Sequence, residues 1–140
     1  MPTPRRLPRA IEVGGRVFVF GGFPCTDGPA LNALEIYDPV TDGWSTGAAM
    51  PTARGGFGIG LASGQIRVLG GATELPVPTL AQYTDVVESY DPLTDTWTNC
   101  GGSCTPLPRL AFAPGFTTLR GRIHLVSGWG EASGSTQEYR

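Results

Sequence analysis

MPTPRRLPRAIEVGGRVFVFGG, from Met1 to Gly22, is the first of three gapless copies of one 22-residue pattern. Met50 to Gly71 reads MPTARGGFGIGLASGQIRVLGG, and Leu107 to Gly128 reads LPRLAFAPGFTTLRGRIHLVSG. A second element follows the first two copies. It is YDPVTDGW from Tyr37 to Trp44 and YDPLTDTW from Tyr90 to Trp97, with Tyr and Trp seven positions apart in both. Copies that start at positions 1, 50 and 107 are spaced by 49 and 57 residues. Such a period marks a repeat array, in which each unit buries its faces against its neighbours.

Within each copy, apolar positions flank a turn pair. Ile11 and Val13 precede Gly14-Gly15, with Val17 and Val19 after it; Ile59 and Leu61 precede Ser63-Gly64, with Ile66 and Val68 after it. The third copy has Phe116 and Leu119, Arg120-Gly121, then Ile123 and Leu125. Glycine supplies positive φ, so each unit reads as a tight hairpin. The alternation has period two and no long stretch carries a helical one. The class read from these residues is all-β.

The diglycines Gly21-Gly22 and Gly70-Gly71, the Tyr-Asp-Pro beginning at Tyr37 and Tyr90, and Trp44 and Trp97 at their spacing resemble the kelch motif. That resemblance implies one four-stranded β-propeller blade per repeat of about 50 residues. It places blade 1 at about 1–49, blade 2 at about 50–106 and a partial blade 3 at about 107–140. The third copy departs from the motif, with Ser127-Gly128 for the diglycine and Tyr139-Arg140 where Tyr-Asp-Pro would begin. Strand a ends before the turn pair, b ends at the diglycine, c runs into Tyr37 or Tyr90, and d begins at the tryptophan. The resemblance places strand a innermost. Trp44 and Trp97 are expected as core residues between blades, since a large ring suits a flat sheet-to-sheet contact.

Propellers close with about 4–8 blades, so about three blades form an incomplete ring. The first expectation is a segment of a longer parent with further blades; the second is a homodimer closing a six-bladed ring. Met1 aligns with Met50 and reads as a repeat residue as readily as a translation start. The opening segment has no apolar run of the kind a secretory signal needs.

A net charge of −2 and a pI near 5.3 supply no basic field for nucleic acid. All 10 cations are arginine, which excludes Schiff-base chemistry by this chain's own side chains. No apolar run reaches the roughly 20 residues of a membrane-spanning helix. Asp38 with Asp42, and Asp91 with Asp95, sit in Asp-Pro-x-Thr-Asp turns, where they are expected to bond local backbone rather than hold metal. His124, the single histidine, aligns with Phe18 and Arg67 and reads as a packed or channel-facing residue. No cofactor is expected. Cys100 and Cys104 are close enough in sequence to bridge or to remain reduced, and Cys25 stands apart.

Loop lengths carry the functional reading. In a meander the b–c and d–a connections share one face. From Gly22 to Tyr37 is 15 positions and from Gly71 to Tyr90 is 19, whereas the a–b turns are two residues. Long, unequal loops on a rigid scaffold are where binding residues gather. Arg5, Arg54 and Arg109 sit in or just beyond the d–a connections, Arg109 two places off the position that the other two share. Arginine forks suit carboxylates, so one reading is an acidic peptide partner and the other a local pairing that holds the entry to strand a. Phe23, Asp27, Tyr83 and Asp85 of the b–c loops complete the binding candidates, and Glu74 and Glu131 lie on the same face. The expected function is a non-enzymatic kelch module that binds a protein or peptide. The alternative is part of a propeller enzyme or lectin acting on glycans.

Overall fold

The computed structural model of the chain describes residues 1–76, 80–98, 105–126, 128–129, 134 and 136–139. Cys100, Cys104, Ser127, Glu131 and Arg140 lie outside them. In the first repeat β1 (Arg9–Val13) pairs with β2 (Arg16–Phe20). The short β3 (Gly28–Pro29) follows, and β4 (Leu34–Asp38) returns to β2 while β5 (Gly43–Thr46) forms the outer edge. The second repeat repeats this plan with β6 (Gly58–Ala62), β7 (Gln65–Leu69), β9 (Val87–Asp91) and β10 (Thr96–Thr98). Between them lie β8 (Glu74–Leu75) and one turn of 3-10 helix at Leu80–Gln82. The third repeat contributes β11 (Gly115–Leu119), β12 (Arg122–Val126) and β13 (Thr136–Tyr139). Among the described residues all strand pairings are antiparallel, and the three blade sheets do not close on themselves.

The local chemistry explains the meanders. Both residues of every a–b turn have positive φ, Ser63 (+53°) and Arg120 (+53°) included. That geometry matches the twist of the flanking strands. In the c–d turns Asp38 accepts the Val40 N–H at 2.9 Å and Asp91 accepts the Leu93 N–H at 2.8 Å. These aspartates therefore act on local backbone.

Blade packing forms the core. Phe18, Phe20, Leu34 and Ile36 of blade 1 bury against Phe57, Ile59, Ile66, Val68 and Tyr90 of blade 2. A second cluster joins Ala62, Leu69 and Val87 of blade 2 to Leu107, Ile123 and Leu125. The inner strand β6 lies between β1 and β11, which fits strand a nearest the axis. At the blade boundary the second diglycine residue donates to the next repeat: Gly22 N–H to Arg54 O at 3.0 Å, Gly71 N–H to Ala111 O at 2.9 Å.

The tryptophan expectation holds for one ring and fails for the other. Each packs at a tilt against its own blade's tyrosine, Trp44 on Tyr37 at 5.2 Å and Trp97 on Tyr90 at 5.1 Å. Trp97 also meets Phe20 of blade 1 edge-on at 5.7 Å and donates its indole N–H to Ala48 O at 2.8 Å. Trp44 is 38% exposed. Trp97 thus packs on the blade before its own, and Trp44 has no such contact among the described residues.

Tyr90 donates to Asp95 at 2.8 Å. Burial, then the hydrogen bond to that carboxylate, holds its phenol well above the ordinary tyrosine value of 10.0. The unfolded phenol ionises first, so this contribution to stability is complete below about pH 10 and is lost as pH rises above it. Denaturant midpoints are expected to fall above about pH 10, and to fall less steeply in Tyr90→Phe. An equal slope in both proteins would contradict this.

Candidate functional site

The b–c and d–a connections meet on one face, one rung per blade. Arg6 pairs with Phe23, Gly55 with Ala72 and Phe112 with Trp129, three bridges at one repeat position. The b–c connections also pair with each other: β3 and β8 form a two-stranded ribbon across blades 1 and 2, continued by Ala30 N–H to Thr73 O at 2.8 Å. Beneath them Phe23, Ala30 and Ala72 are buried, with Leu75, Tyr83 and Phe112 packed against them.

A cavity of about 370 Å³ opens on this face. Tyr83 and Phe112, stacked at 5.8 Å and 21°, line it together with Leu75, Pro76 and Trp129. Trp129 is 72% exposed. Arg6 and Asp27 supply its charged lining, 3.1 Å apart. Arg6 also donates to Pro24 O at 3.1 Å and Thr26 O at 2.9 Å, so its guanidinium closes the first b–c loop. The result is an aromatic recess whose cation already has acceptors.

The candidate residues divide. Asp27 and Tyr83 line the recess. Phe23 does not: it is fully buried beneath the loops. Asp85 is exposed and receives the Leu107 N–H on its main-chain carbonyl at 2.8 Å. Arg5 and Arg54 are buried and internally paired, which is the local pairing of the two readings, and the arginine that lines the recess is Arg6. Arg5 binds Glu35 at 2.7 Å, and Arg54 binds Glu88 together with the Gly70 and Val86 carbonyls. Burial lowers both guanidinium pKa values, opposed by the partner carboxylate. Thr3 and Thr52 complete the pattern by donating to Glu35 and Glu88 at 2.6 and 2.7 Å.

In blade 3 the same positions hold Ala111 and Gln137. Cation and anion are replaced together, which leaves no buried charge without a partner. Gln137 instead bonds the main chain of the exposed Arg109, accepting its N–H at 3.2 Å.

Arg9 was not among the candidates, yet it ties three blades. It donates to Phe57 O at 2.8 Å and Pro114 O at 3.5 Å, and lies 5.2 Å over the Phe116 ring. The other repeats have Gly58 and Gly115 there, so a long side chain replacing two glycines was the available signal. His124 lines a separate cavity of about 390 Å³ on blade 3 with Leu119, Arg120, Arg122 and Glu138.

The Kelch motif family model matches residues 4–51 and 53–102. The chain belongs to the kelch family. Kelch-like protein 25 of Xenopus tropicalis is 34% identical over 105 residues, which are 70% of this chain and 17% of that protein. Kelch-like protein 15 of Danio rerio is 33% identical over 99 residues, 66% of this chain and 15% of that protein. The kelch repeats here thus span less than a fifth of these curated relatives. Among solved structures, one titled "Structure of YjhT" superposes with a TM-score of 0.75 at 15% identity, covering 96% of this chain and 51% of that one. At that identity the likeness is one of fold.

Proposed function

We propose that this kelch segment is an interaction module that seats a protein or peptide partner on the b–c and d–a face, with an apolar side chain of the partner in the aromatic recess. The recess carries this reading: Tyr83, Phe112 and Trp129 come from two repeats and converge on the face with the long connections. Exposed aromatic surface of this kind marks interaction sites. Arg6 and Asp27 neutralise one another, so the recess favours neither an acidic nor a basic ligand. The proposal needs no catalytic group, and we place the module outside enzyme chemistry.

The test selects peptides from a displayed random library on the full chain and measures the binders against variants. Tyr83→Ala is expected to weaken them about tenfold to a hundredfold, as a central aromatic anchor does. Leu93→Ser, in a c–d turn away from the recess, is expected to leave them unchanged. Binders indifferent to Tyr83→Ala, or turnover of a glycan abolished by Asp27→Asn, would overturn the proposal.

A further inference from the structure

The aromatic recess is unequal in what it offers a ligand. The main-chain groups of its two rungs are spent on each other. Arg6 and Phe23 exchange both N–H···O bonds at 2.8 Å, and Phe112 and Trp129 exchange theirs at 3.0 and 2.8 Å. Asp27, the carboxylate among the lining residues, takes the Arg6 guanidinium on Oδ1 at 3.1 Å. The side-chain donors are not spent. Among the described residues no hydrogen bond engages the Tyr83 hydroxyl or the Trp129 indole N–H. The recess thus combines three aromatic rings with open donors, no net charge and few acceptors.

A fitting occupant has free carbonyls, apolar rings and few N–H groups. An α-helix keeps its carbonyls in its own ladder. One helical turn, roughly 10 Å across and 5.4 Å long, also displaces about 420 Å³, more than the cavity's 370 Å³. A β-strand brings an N–H at every residue, and the recess has little beyond the second oxygen of Asp27 to receive them. Sugars bring a hydroxyl donor at most carbons and meet the same shortage. An acidic peptide would have to compete with Asp27 for Arg6. Proline has a carbonyl and no N–H, and a polyproline II helix makes no internal hydrogen bonds. It is also stiff before binding, so an open recess can hold it at a low cost in ordering.

We propose that the recess takes a proline-rich segment in polyproline II conformation. Its carbonyls accept from Tyr83 and Trp129, and its rings lie against the Tyr83, Phe112 and Trp129 side chains. This rests on the reading of the loop face as a peptide site and adds the class of peptide.

The test titrates the full chain with a capped peptide of six prolines. It follows the Leu75 amide signal and the Trp129 indole N–H signal, the latter assigned by Trp129→Phe. Both are expected to shift, with the indole signals of Trp44 and Trp97 unmoved. Alanine at the two central prolines restores two N–H groups and is expected to weaken binding about tenfold. N-methylalanine at the same places, which again lacks the N–H, is expected to recover most of that loss. Tyr83→Phe and Trp129→Phe keep a ring and remove a donor, and each is expected to weaken the hexaproline about threefold to tenfold. An alanine peptide that binds as tightly as hexaproline would overturn the proposal. So would unchanged affinity in both phenylalanine variants, or a neutral oligosaccharide that moves the Trp129 signal where hexaproline does not. The displayed library separates this proposal from the broader one. Binders that are lost in Tyr83→Ala but carry no proline leave the interaction module standing and overturn the proline class. A library that yields no binder dependent on Tyr83 overturns both.

Discussion

Arg54→Ala is expected to destabilise the fold by about 3–5 kcal/mol, because it leaves Glu88 buried without its cation. Arg54 is fully buried, Glu88 is 2% exposed, and the guanidinium also serves the Gly70 and Val86 carbonyls. Stabilities of single domains are about 5–15 kcal/mol, so the loss is a large share of the total. The third blade indicates the rescue. It holds Ala111 and Gln137 in these two places and folds into the same a–b–c meander. Arg54→Ala combined with Glu88→Gln is therefore expected to recover part of the loss, since a neutral amide costs less to bury than a carboxylate. Denaturant titration of the two variants measures this. A double variant no more stable than Arg54→Ala would show that the pair contributes by packing alone.

Gly21→Ala is expected to cost about 3 kcal/mol or more, from left-handed backbone strain together with overpacking. Its φ is +51°, and a Cβ there would lie 2.3 Å from Arg54 O, 2.8 Å from the Phe57 ring and 2.9 Å from the Met50 methyl. All three belong to the next repeat or the link into it, so the substitution would push two blades apart. Gly14 is the control. It has a similar φ of +63° in an open turn with nothing within 4 Å. Gly14→Ala is expected to lose only the strain, about 1–2 kcal/mol. Equal losses at the two sites would mean that Gly21 serves turn geometry and not blade contact.

What could be read in the sequence was what local chemistry decides. Positive-φ pairs specify the hairpins, Asp-Pro-x-Thr-Asp specifies the c–d turns, and the period specifies one sheet per repeat. What could not be read depends on distant partners. Arg54 meets Glu88 34 positions away, and Arg5 meets Glu35 30 positions away. Nothing near either arginine separates a buried pair from a surface fork, although the joint replacement by Ala111 and Gln137 was a signal. The β3–β8 ribbon rests on two residues per strand, too short for a periodic pattern. Trp129 and Phe112 carry no local sequence signal, because they line the recess only through rungs between connections. Their repeat positions hold Phe23 and Ala72 in one case, and Arg6 and Gly55 in the other. Such variation in size at one fixed position leaves no repeating pattern to read.

The central claim is that successive repeats stack as equivalent blades, with Trp97 of the second repeat resting on the first blade. Nuclear Overhauser contacts of the assigned indoles test it most directly. Trp97 is expected to show contacts to the Phe20 ring, whose centre lies 5.7 Å away, and to Tyr90, whereas Trp44 shows them to Tyr37 alone. A Trp97 indole with no contact to blade 1 would contradict the account.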